Sequence, residues 1–215
     1  MRLRFKSGDV WFASKNLRKY PHGSRALFLD LDGTLWEDKG PGSILDFEIS
    51  SSTTSKLKSL AGEWLKIGFS NQTFIGRRKY FSPKTILRYW KALDELLKEE
   101  ILDAIAICHH HPDAANFYLR RDCESRKPKS GLVCWAVDLT GIDVTNSVAI
   151  GDKITDIVAS NTAGVKSNFL ISNPSAFKIN KTDLKLDGAY AFQFVDRFES
   201  LFYEKDFRED LGEKN

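Results

Sequence analysis

The sequence predicts an α/β fold with a central parallel sheet flanked by helices. Short apolar runs alternate with amphipathic stretches between residues 26 and 171. The run "RALFLDL" is continuously apolar, which is typical of a strand buried on both faces. Several of these runs also end in polar side chains. Strands that alternate with helices in this way form right-handed parallel βαβ units.

Length and composition are compatible with one such domain. The chain has 215 residues, of which 42% are hydrophobic and 28% charged, enough to bury a single sizeable core. Its formal net charge of +3 is smaller than the clustered basic charge expected of a dedicated nucleic-acid-binding protein. The three cysteines are an odd number and predict no disulfide framework.

We divide the chain into three parts. Residues 1–25 are basic with scattered aromatic side chains, and we expect an arm that packs loosely or orders on assembly. Residues 26–175 form the core, and residues 176–215 form an extension with a helical segment and a charged tail. No stretch reaches the roughly 20 apolar residues of a membrane span, and the first 25 residues lack the apolar centre of a signal peptide. We therefore expect a cytoplasmic protein with no membrane partner.

The first half of the core begins with the strand in "RALFLDL", followed by a Gly- and Asp-rich loop. Serines and threonines at 51–54 are typical helix caps and predict a short helix to about residue 60. "EWLKIGFSNQ" predicts the second strand. Ser82 followed by Pro83 predicts the start of a helix that ends near Glu100. The apolar stripe of this helix, which we expect to face the core, is Ile86, Trp90, Leu93 and Leu97.

The second half of the core repeats the alternation of strands and helices. Its predicted elements are a strand at 101–108, a Cys- and His-rich loop at 109–130, a helix at 131–140, a strand at 147–152, a helix at 156–163 and a strand at 167–171.

Polar side chains follow three of the predicted strands. Asp30 and Asp32 end the first, Ser70 and Asn71 the second, and Asp152 the strand "SVAIG". Ligands bind at the carboxyl ends of parallel strands, and side chains two residues apart on a strand point the same way. The carboxylates would repel one another unless a divalent cation neutralised them. Magnesium, which prefers carboxylate and phosphate oxygens, suits this site.

The same side chains predict phosphoryl transfer. Aspartate attacks phosphorus to form an aspartyl phosphate, and we assign this nucleophilic role to Asp30. Asp32 would protonate the leaving oxygen and later deprotonate water. Ser70 would donate its hydroxyl to a phosphoryl oxygen. Lys127 would offset the negative charge.

Four segments in order resemble the four motifs of haloacid dehalogenase (HAD) superfamily phosphatases, over residues 25–171. They are "DLDGT", "SN", the lysine of "RKP" and "GDKITD". The resemblance implies a Rossmann-like HAD fold. The gaps from Asp32 to Ser70 and from Ser70 to Lys127 are too short for a separate cap domain.

Further segments resemble one branch, subfamily IIIA, which contains heptose-bisphosphate and histidinol-phosphate phosphatases. They are "SNQTFIGRRKY", "CHHHP" and "CESRKPKSGL". This resemblance implies magnesium ligands at Asp30, at the backbone carbonyl of Asp32, and at Asp152. The substrate-binding residues that it implies are Asn71, Gln72, Arg126, Lys127 and Lys153.

The branch also carries a zinc-binding loop. The resemblance places its ligands at Cys108, His110 and Cys123, whereas the fourth ligand position is occupied by Ser125. A structural zinc site is closed by four ligands, and a serine hydroxyl is a poor one. We therefore expect weak or partial zinc occupancy, with water, a neighbouring histidine or no ligand in the fourth place.

Several residues have two interpretations. Asp156 either completes the fourth motif or only caps a helix. Lys129 competes with Lys127, although "RKP" favours Lys127. Arg77 and Arg78 are either a solvated face or ligands. Cys134 is expected to be a buried thiol.

The interpretation that we adopt is a magnesium-dependent phosphomonoester hydrolase acting on a small phosphorylated substrate, such as a heptose bisphosphate. A polynucleotide 3′-phosphatase is the first alternative, because a basic aromatic arm suits single-stranded nucleic acid. A histidinol-phosphate phosphatase and a catalytically silent phosphate-binding module are the others. The oligomeric state is left open.

Overall fold

The computed structural model describes residues 2–6, 10–15, 20–77, 82–171 and 192–203. Its strands are β1 (Arg2–Lys6), β2 (Val10–Ser14), β3 (Ala26–Leu29), β4 (Leu65–Asn71), β5 (Ala104–Cys108), β6 (Val148–Gly151), β7 (Ser167–Ile171) and β8 (Gln193–Val195). Its α-helices are α1 (Ser51–Ser59), α2 (Phe74–Arg77), α3 (Pro83–Lys98), α4 (Gly131–Thr140) and α5 (Ile154–Thr162). Short 3-10 helices cover Ser43–Asp46, Phe117–Leu119 and Phe198–Tyr203.

All eight strands form one sheet in the order β1-β2-β5-β4-β3-β6-β7-β8. Six neighbouring strands of this sheet run parallel, in the order β5, β4, β3, β6, β7 and β8. The strand β3 lies between β4 and β6. This arrangement confirms the predicted α/β class. It also brings the carboxyl ends of β3, β4 and β6 side by side, which is where the polar residues lie.

Helices cover both faces of the sheet, so every side chain of β3 is buried. Leu27 and Leu29 belong to a hydrophobic cluster with Tyr89 of α3. Phe28 belongs to the cluster on the opposite face, with Leu132 of α4. Each fully buried side chain of this kind contributes about 1.5–3 kcal/mol. The packing on both faces explains why the run "RALFLDL" is continuously apolar instead of alternating.

The N-terminal segment extends the sheet. β1 pairs antiparallel with β2, and β2 pairs antiparallel with β5. Val10 and Phe12 are buried, and the ring of Phe12 meets the edge of Trp135 with centroids 5.4 Å apart. Tyr20 donates a hydrogen bond to Asp103 Oδ2 at 3.0 Å. The expectation of a loosely packed arm was therefore wrong for residues 2–6 and 10–15, because β1 and β2 pair within the sheet and β2 covers the edge of β5.

The helix starts follow their capping residues. Ser82 caps α3 by accepting a hydrogen bond from the backbone N–H of Thr85, as predicted. Leu93 and Leu97 of the predicted stripe are buried, whereas Ile86 and Trp90 are only partly buried. Tyr89, Ala92 and Leu96 complete the buried face.

Two expectations for other parts of the chain need correction. The C-terminal extension, expected to contain a helical segment, has the 3-10 helix Phe198–Tyr203 among its described residues, but the strand β8, which was not expected, precedes it. Cys134, expected to be buried, is exposed on α4, because it lies on the side of the helix away from the sheet. The boundary at 175/176 and the charged tail lie outside the described residues.

The chain between the motifs is short. From Asp32 to Ser70 the structure has a loop with the 3-10 helix Ser43–Asp46, α1 and β4. Between Ser70 and Lys127 it has α2, α3, β5 and the loop after it. In these segments, apart from residues 78–81, the described chain forms no cap domain. No helix among the described residues is long and apolar enough to cross a membrane.

Candidate active site

The carboxyl ends of β3 and β4 open into a cavity of about 370 Å³. The predicted site residues that line it are Asp30, Asp32, Ser70, Asn71, Gln72, Lys127 and Lys153. Asp156 and Arg77 also line it. The structure therefore brings together residues separated by up to 126 positions in the chain, as the order of the strands predicts.

Lys127 lies at the bottom of this cavity. Its Nζ atom is 2.6 Å from Asp30 Oδ1 and 2.6 Å from Asp156 Oδ1, and it donates to the carbonyl of Phe69 at 2.8 Å. Burial opposes its charged form, but the carboxylates of Asp156 and Asp30 raise the pKa of Lys127 above its usual value. Lys129 instead pairs at the surface with two exposed acids. The geometry thus selects Lys127 over Lys129.

Asn71 and Arg126 have roles that the resemblance did not assign to them. The Asn71 amide donates to the carbonyl of Lys127 at 3.0 Å and accepts from the N–H of Lys127 at 3.1 Å. Arg126 donates to the carbonyl of His110 at 3.1 Å. Both side chains, which we expected to bind substrate, therefore hold the backbone beside the site.

Asp32 is held by two N–H donors. Trp36 Nε1 donates to its Oδ1 at 2.8 Å, and Gln72 Nε2 donates to its Oδ2 at 2.5 Å. Gln72 also donates to Ser70 Oγ at 3.0 Å. Burial, together with the charge of Asp30, raises the pKa of Asp32 to about 6. A carboxyl with such a pKa can both give and accept a proton near neutral pH.

Asp156 both caps α5 and faces the cavity. Its Oδ2 accepts a hydrogen bond from the backbone N–H of Lys153 at 2.9 Å, which caps α5. Its Oδ1 faces Lys127. The cap explains why α5 begins at Ile154, two residues earlier than predicted. Gly151 makes room for this side chain, since a Cβ atom at residue 151 would collide with Asp156.

Three carboxylates form a cluster that suits a divalent cation. Oxygens of Asp30, Asp152 and Asp156 lie within 4.8 Å of one another. Asp152 is buried, and its Oδ1 has no hydrogen-bond partner among the described residues. Burial, together with the charge of Asp30, raises the pKa of Asp152 to about 8. A buried carboxylate oxygen without a partner, beside other carboxylates, is the arrangement that a hard cation would stabilise.

Gly33 allows Asp152 to reach this position. Its φ is +90°, and a Cβ atom at residue 33 would overlap the carboxylate of Asp152. Glycine adopts this backbone conformation at little cost and leaves the required space. The glycine of the first motif therefore leaves the space that the aspartate of the fourth motif, Asp152, occupies.

The loop after β5 gathers the three predicted zinc ligands. Cys108 Sγ is 3.4 Å from Cys123 Sγ and 3.8 Å from His110 Nδ1, and all three side chains are buried. The hydrogen bond with Cys108 lowers the pKa of Cys123 to about 6. Two cysteine sulfurs and one imidazole nitrogen are ligand types that zinc binds in proteins. The set is one ligand short of a closed tetrahedral site.

The neighbouring histidines point elsewhere. Nε2 of His109 lies 3.0 Å from the Tyr89 hydroxyl, and burial lowers the pKa of His109 to about 3. His111 Nδ1 accepts a hydrogen bond from the N–H of Asp113 at 3.0 Å. Ser125 is buried in the loop. In this geometry neither His109 nor His111 completes the set of Cys108, His110 and Cys123.

Comparison with known proteins agrees with the geometry. Residues 124–173 match the family model described as HAD-hydrolase-like. A D-glycero-beta-D-manno-heptose-1,7-bisphosphate 7-phosphatase from Haemophilus ducreyi is 35% identical over 173 residues, which cover 77% of this chain and 94% of that protein. The chain belongs to this phosphatase family. The enzyme of the same name from Escherichia coli K12 is 33% identical over 156 residues, covering 68% of this chain and 78% of that protein.

Family membership makes the chain a HAD phosphatase, and the interpretation as a silent binding module is set aside. Solved structures agree on the fold. A HAD-like protein from Mesorhizobium loti has a TM-score of 0.76 at 23% identity, over 100% of both chains. A D,D-heptose 1,7-bisphosphate phosphatase from B. bronchiseptica, solved with magnesium and phosphate, has a TM-score of 0.61 at 19% identity and covers 82% of this chain and 95% of that chain.

Two residues of the phosphatase site were missed in the sequence. Trp36 contacts Asp32, and Asp38 accepts from Lys153 Nζ at 3.2 Å across the cavity. Both lie in the loop after the first motif, where no periodic pattern identifies contacts. Exposed Arg77, left open between two interpretations, lines the cavity, whereas Arg78 lies outside the described residues.

Proposed function

We propose that this phosphatase is a magnesium-dependent phosphomonoester hydrolase that works through an aspartyl phosphate on Asp30. The observation that carries the proposal is the position of Lys127 Nζ, 2.6 Å from Asp30 Oδ1 and buried beside the carboxylate cluster. A fixed ammonium orients the nucleophile and offsets the charge that the incoming phosphate brings.

In the first half-reaction, the Asp30 oxygen that does not face Lys127 attacks phosphorus. The bond from phosphorus to the ester oxygen breaks, and Asp32 protonates that oxygen as it leaves. In the second half-reaction, water gives its proton to Asp32 and attacks phosphorus. The bond to Asp30 then breaks, which releases phosphate and restores the carboxylate. Ser70 donates its hydroxyl to a phosphoryl oxygen.

The carboxylates of Asp30 and Asp152, with the backbone carbonyl of Asp32, are the ligands that we propose for magnesium. The bound cation would neutralise negative charge on the transferring phosphoryl group. Asp156 is already engaged by Lys127 and by the backbone N–H of Lys153. We therefore assign it to the orientation of Lys127.

The substrate that we propose is a sugar phosphate, such as a heptose bisphosphate. The cavity has room for a sugar, and it is lined by two cations that a second anionic group would meet, Arg77 and Lys153, the latter paired with Asp38. The relatives from Haemophilus ducreyi and Escherichia coli are named for such a substrate. The polynucleotide alternative loses support, because Phe12 of the basic segment is buried in the sheet instead of exposed for stacking.

A substrate panel tests this proposal. Purified protein is assayed with magnesium on D-glycero-D-manno-heptose 1,7-bisphosphate, histidinol phosphate and a 3′-phosphorylated oligonucleotide. We expect the highest kcat/KM on the heptose bisphosphate and no turnover by Asp30→Asn, which is isosteric but lacks the attacking charge. A preference for the oligonucleotide or for histidinol phosphate would overturn the substrate, and turnover by Asp30→Asn would overturn the mechanism.

A further inference from the structure

The carboxylate of Asp32 lies between two N–H donors from different parts of the chain. The indole of Trp36 reaches its Oδ1 at 2.8 Å, and the amide of Gln72 reaches its Oδ2 at 2.5 Å. The two donors hold opposite oxygens, which fixes the plane of the carboxylate. The amide of Gln72 also donates to Ser70, whereas the indole has a single N–H and no acceptor, so its hydrogen bond goes to Asp32 alone. Trp36 is therefore the donor that is committed to Asp32 only.

Backbone and ring contacts of the loop hold Trp36 in this place. The N–H of Gly33 donates to the carbonyl of Trp36 at 2.7 Å, and Asp32 and Trp36 form an isolated bridge. Trp36 is 5% exposed. It packs against Phe47, with ring centroids 5.0 Å apart. Backbone and ring contacts together direct the indole N–H at Asp32.

We propose that Trp36 is a positioning residue that aims the Asp32 carboxyl at the leaving oxygen of the substrate. This inference rests on the proposed function, in which Asp32 gives its proton to that oxygen. Proton transfer needs a carboxyl oxygen of Asp32 within hydrogen-bond reach of the leaving oxygen in the transition state. A carboxyl that is free to rotate therefore transfers its proton less often. The requirement is greatest for a poor leaving group, such as a sugar alkoxide, and small for p-nitrophenolate.

The test compares Trp36→Phe with the wild type on p-nitrophenyl phosphate and on an alkyl phosphate. Phenylalanine keeps an aromatic ring against Phe47 and removes the N–H. We expect kcat on the alkyl phosphate to fall about tenfold to a hundredfold, and kcat on the aryl phosphate to fall less than about twofold. KM for both substrates should stay unchanged. Trp64→Phe, the matched control, makes the same substitution at a buried tryptophan just before β4, at the end of that strand away from the site, and should not change the ratio of the two kcat values.

Asp32→Asn separates failure of this inference from failure of the proposed function. If Asp32→Asn lowers kcat equally on both substrates, the acid–base role of Asp32 fails, and the role of Trp36 fails with it. If Asp32→Asn discriminates between the substrates and Trp36→Phe does not, only the role of Trp36 is refuted. The double variant should show no greater discrimination than Asp32→Asn alone, since the indole acts through that carboxyl.

A second variant covers the case in which Trp36→Phe does not fold. Gln72→Met removes the donor on the other oxygen of Asp32 and keeps an unbranched side chain of similar length. We expect it to lower kcat more on the alkyl than on the aryl phosphate. Equal loss on both substrates would count against a positioned Asp32.

Discussion

Lys127 and Asp156 form an ion pair that is almost completely excluded from solvent, with Nζ 2.6 Å from Oδ1. The same Nζ lies 2.6 Å from Asp30 Oδ1, so one ammonium serves two buried carboxylates. Removing one partner of such a pair costs about 3–5 kcal/mol, because the remaining charge stays buried and unpaired. Stability and the proposed chemistry therefore depend on the same lysine.

The first prediction concerns this lysine. Lys127→Met should lower the free energy of unfolding by about 3–5 kcal/mol and abolish phosphatase activity. The matched control is Lys129→Met, which removes ion pairs at the surface and should cost much less, because water screens those pairs. Urea titrations of both variants, without magnesium, measure the difference. Equal losses of stability in the two variants would show that the buried ion pair stabilises the fold no more than the surface ion pairs do.

The second prediction concerns magnesium at Asp152. Activity should disappear in excess chelator and return with added magnesium. Asp152→Ala should raise the magnesium concentration needed for half-maximal activity at least about tenfold, because one carboxylate ligand is lost. Glu63→Ala, an exposed acid, is the control and should leave that concentration unchanged. Full activity of the wild type in chelator would contradict the magnesium assignment.

The third prediction concerns the pH dependence of stability in the metal-free protein. Burial and the charge of Asp30 raise the pKa of Asp152 from 3.8 to about 8 in the folded state. The folded protein then binds this proton more tightly than the unfolded chain does, so the stability it contributes is present at low pH and is lost as the pH rises through about 8. Asp152→Asn, which does not titrate, should lack this loss.

Thermal unfolding in chelator, from about pH 5 to about pH 9, measures this effect. The Tm of Asp152→Asn should exceed that of the wild type by an amount that grows with pH. Asp32 and Asp156 titrate in both proteins, so the difference reports Asp152 together with its charge interactions with Asp30 and Asp156. Two parallel Tm curves would show that Asp152 carries no raised pKa.

The fourth prediction concerns zinc. Cys108, His110 and Cys123 supply three donors, and Ser125 occupies the position of the fourth. We expect the purified protein to hold less than one equivalent of zinc, and Ser125→Cys to bind a full equivalent, because thiolate restores the missing ligand. The bound metal should also raise the Tm of Ser125→Cys.

Metal analysis of both proteins, purified without added zinc, decides this question. A full equivalent in the wild type would contradict a lost ligand. Absence of zinc from both would show that the three donors gather for packing alone. Ser130→Cys, a substitution in the same loop, is the control and should leave the zinc content at the wild-type level.

Much of the site could be predicted from the sequence, because strand ends are local features. Asp30, Ser70 and Asp152 each follow a buried apolar run, and parallel strands place such ends at one edge. Predicting Lys127 as a site residue required the family resemblance as well as the charge argument, because it lies in a loop that has no hydrophobic repeat. Its position depends on Asn71, whose amide holds its backbone.

The remaining contacts depend on tertiary packing. Trp36 and Asp38 lie in an irregular loop, where side-chain direction follows from the turn instead of from a repeat. The double function of Asp156 depends on the start of α5 and on the space at Gly151. The strand β2 was missed because its short apolar run lies within a basic segment, where the charge suggested an arm.

The most direct test of the central claim is to trap the phosphoryl group on Asp30. Wild-type protein is mixed with substrate and magnesium, quenched in acid within a turnover and treated with borohydride, which reduces an acyl phosphate to an alcohol. Peptide mass spectrometry then identifies the residue. The account predicts homoserine at position 30, only when substrate is present and never in Asp30→Asn. Unmodified Asp30 in peptides from actively turning-over enzyme, or the reduced residue at another carboxylate, would contradict it.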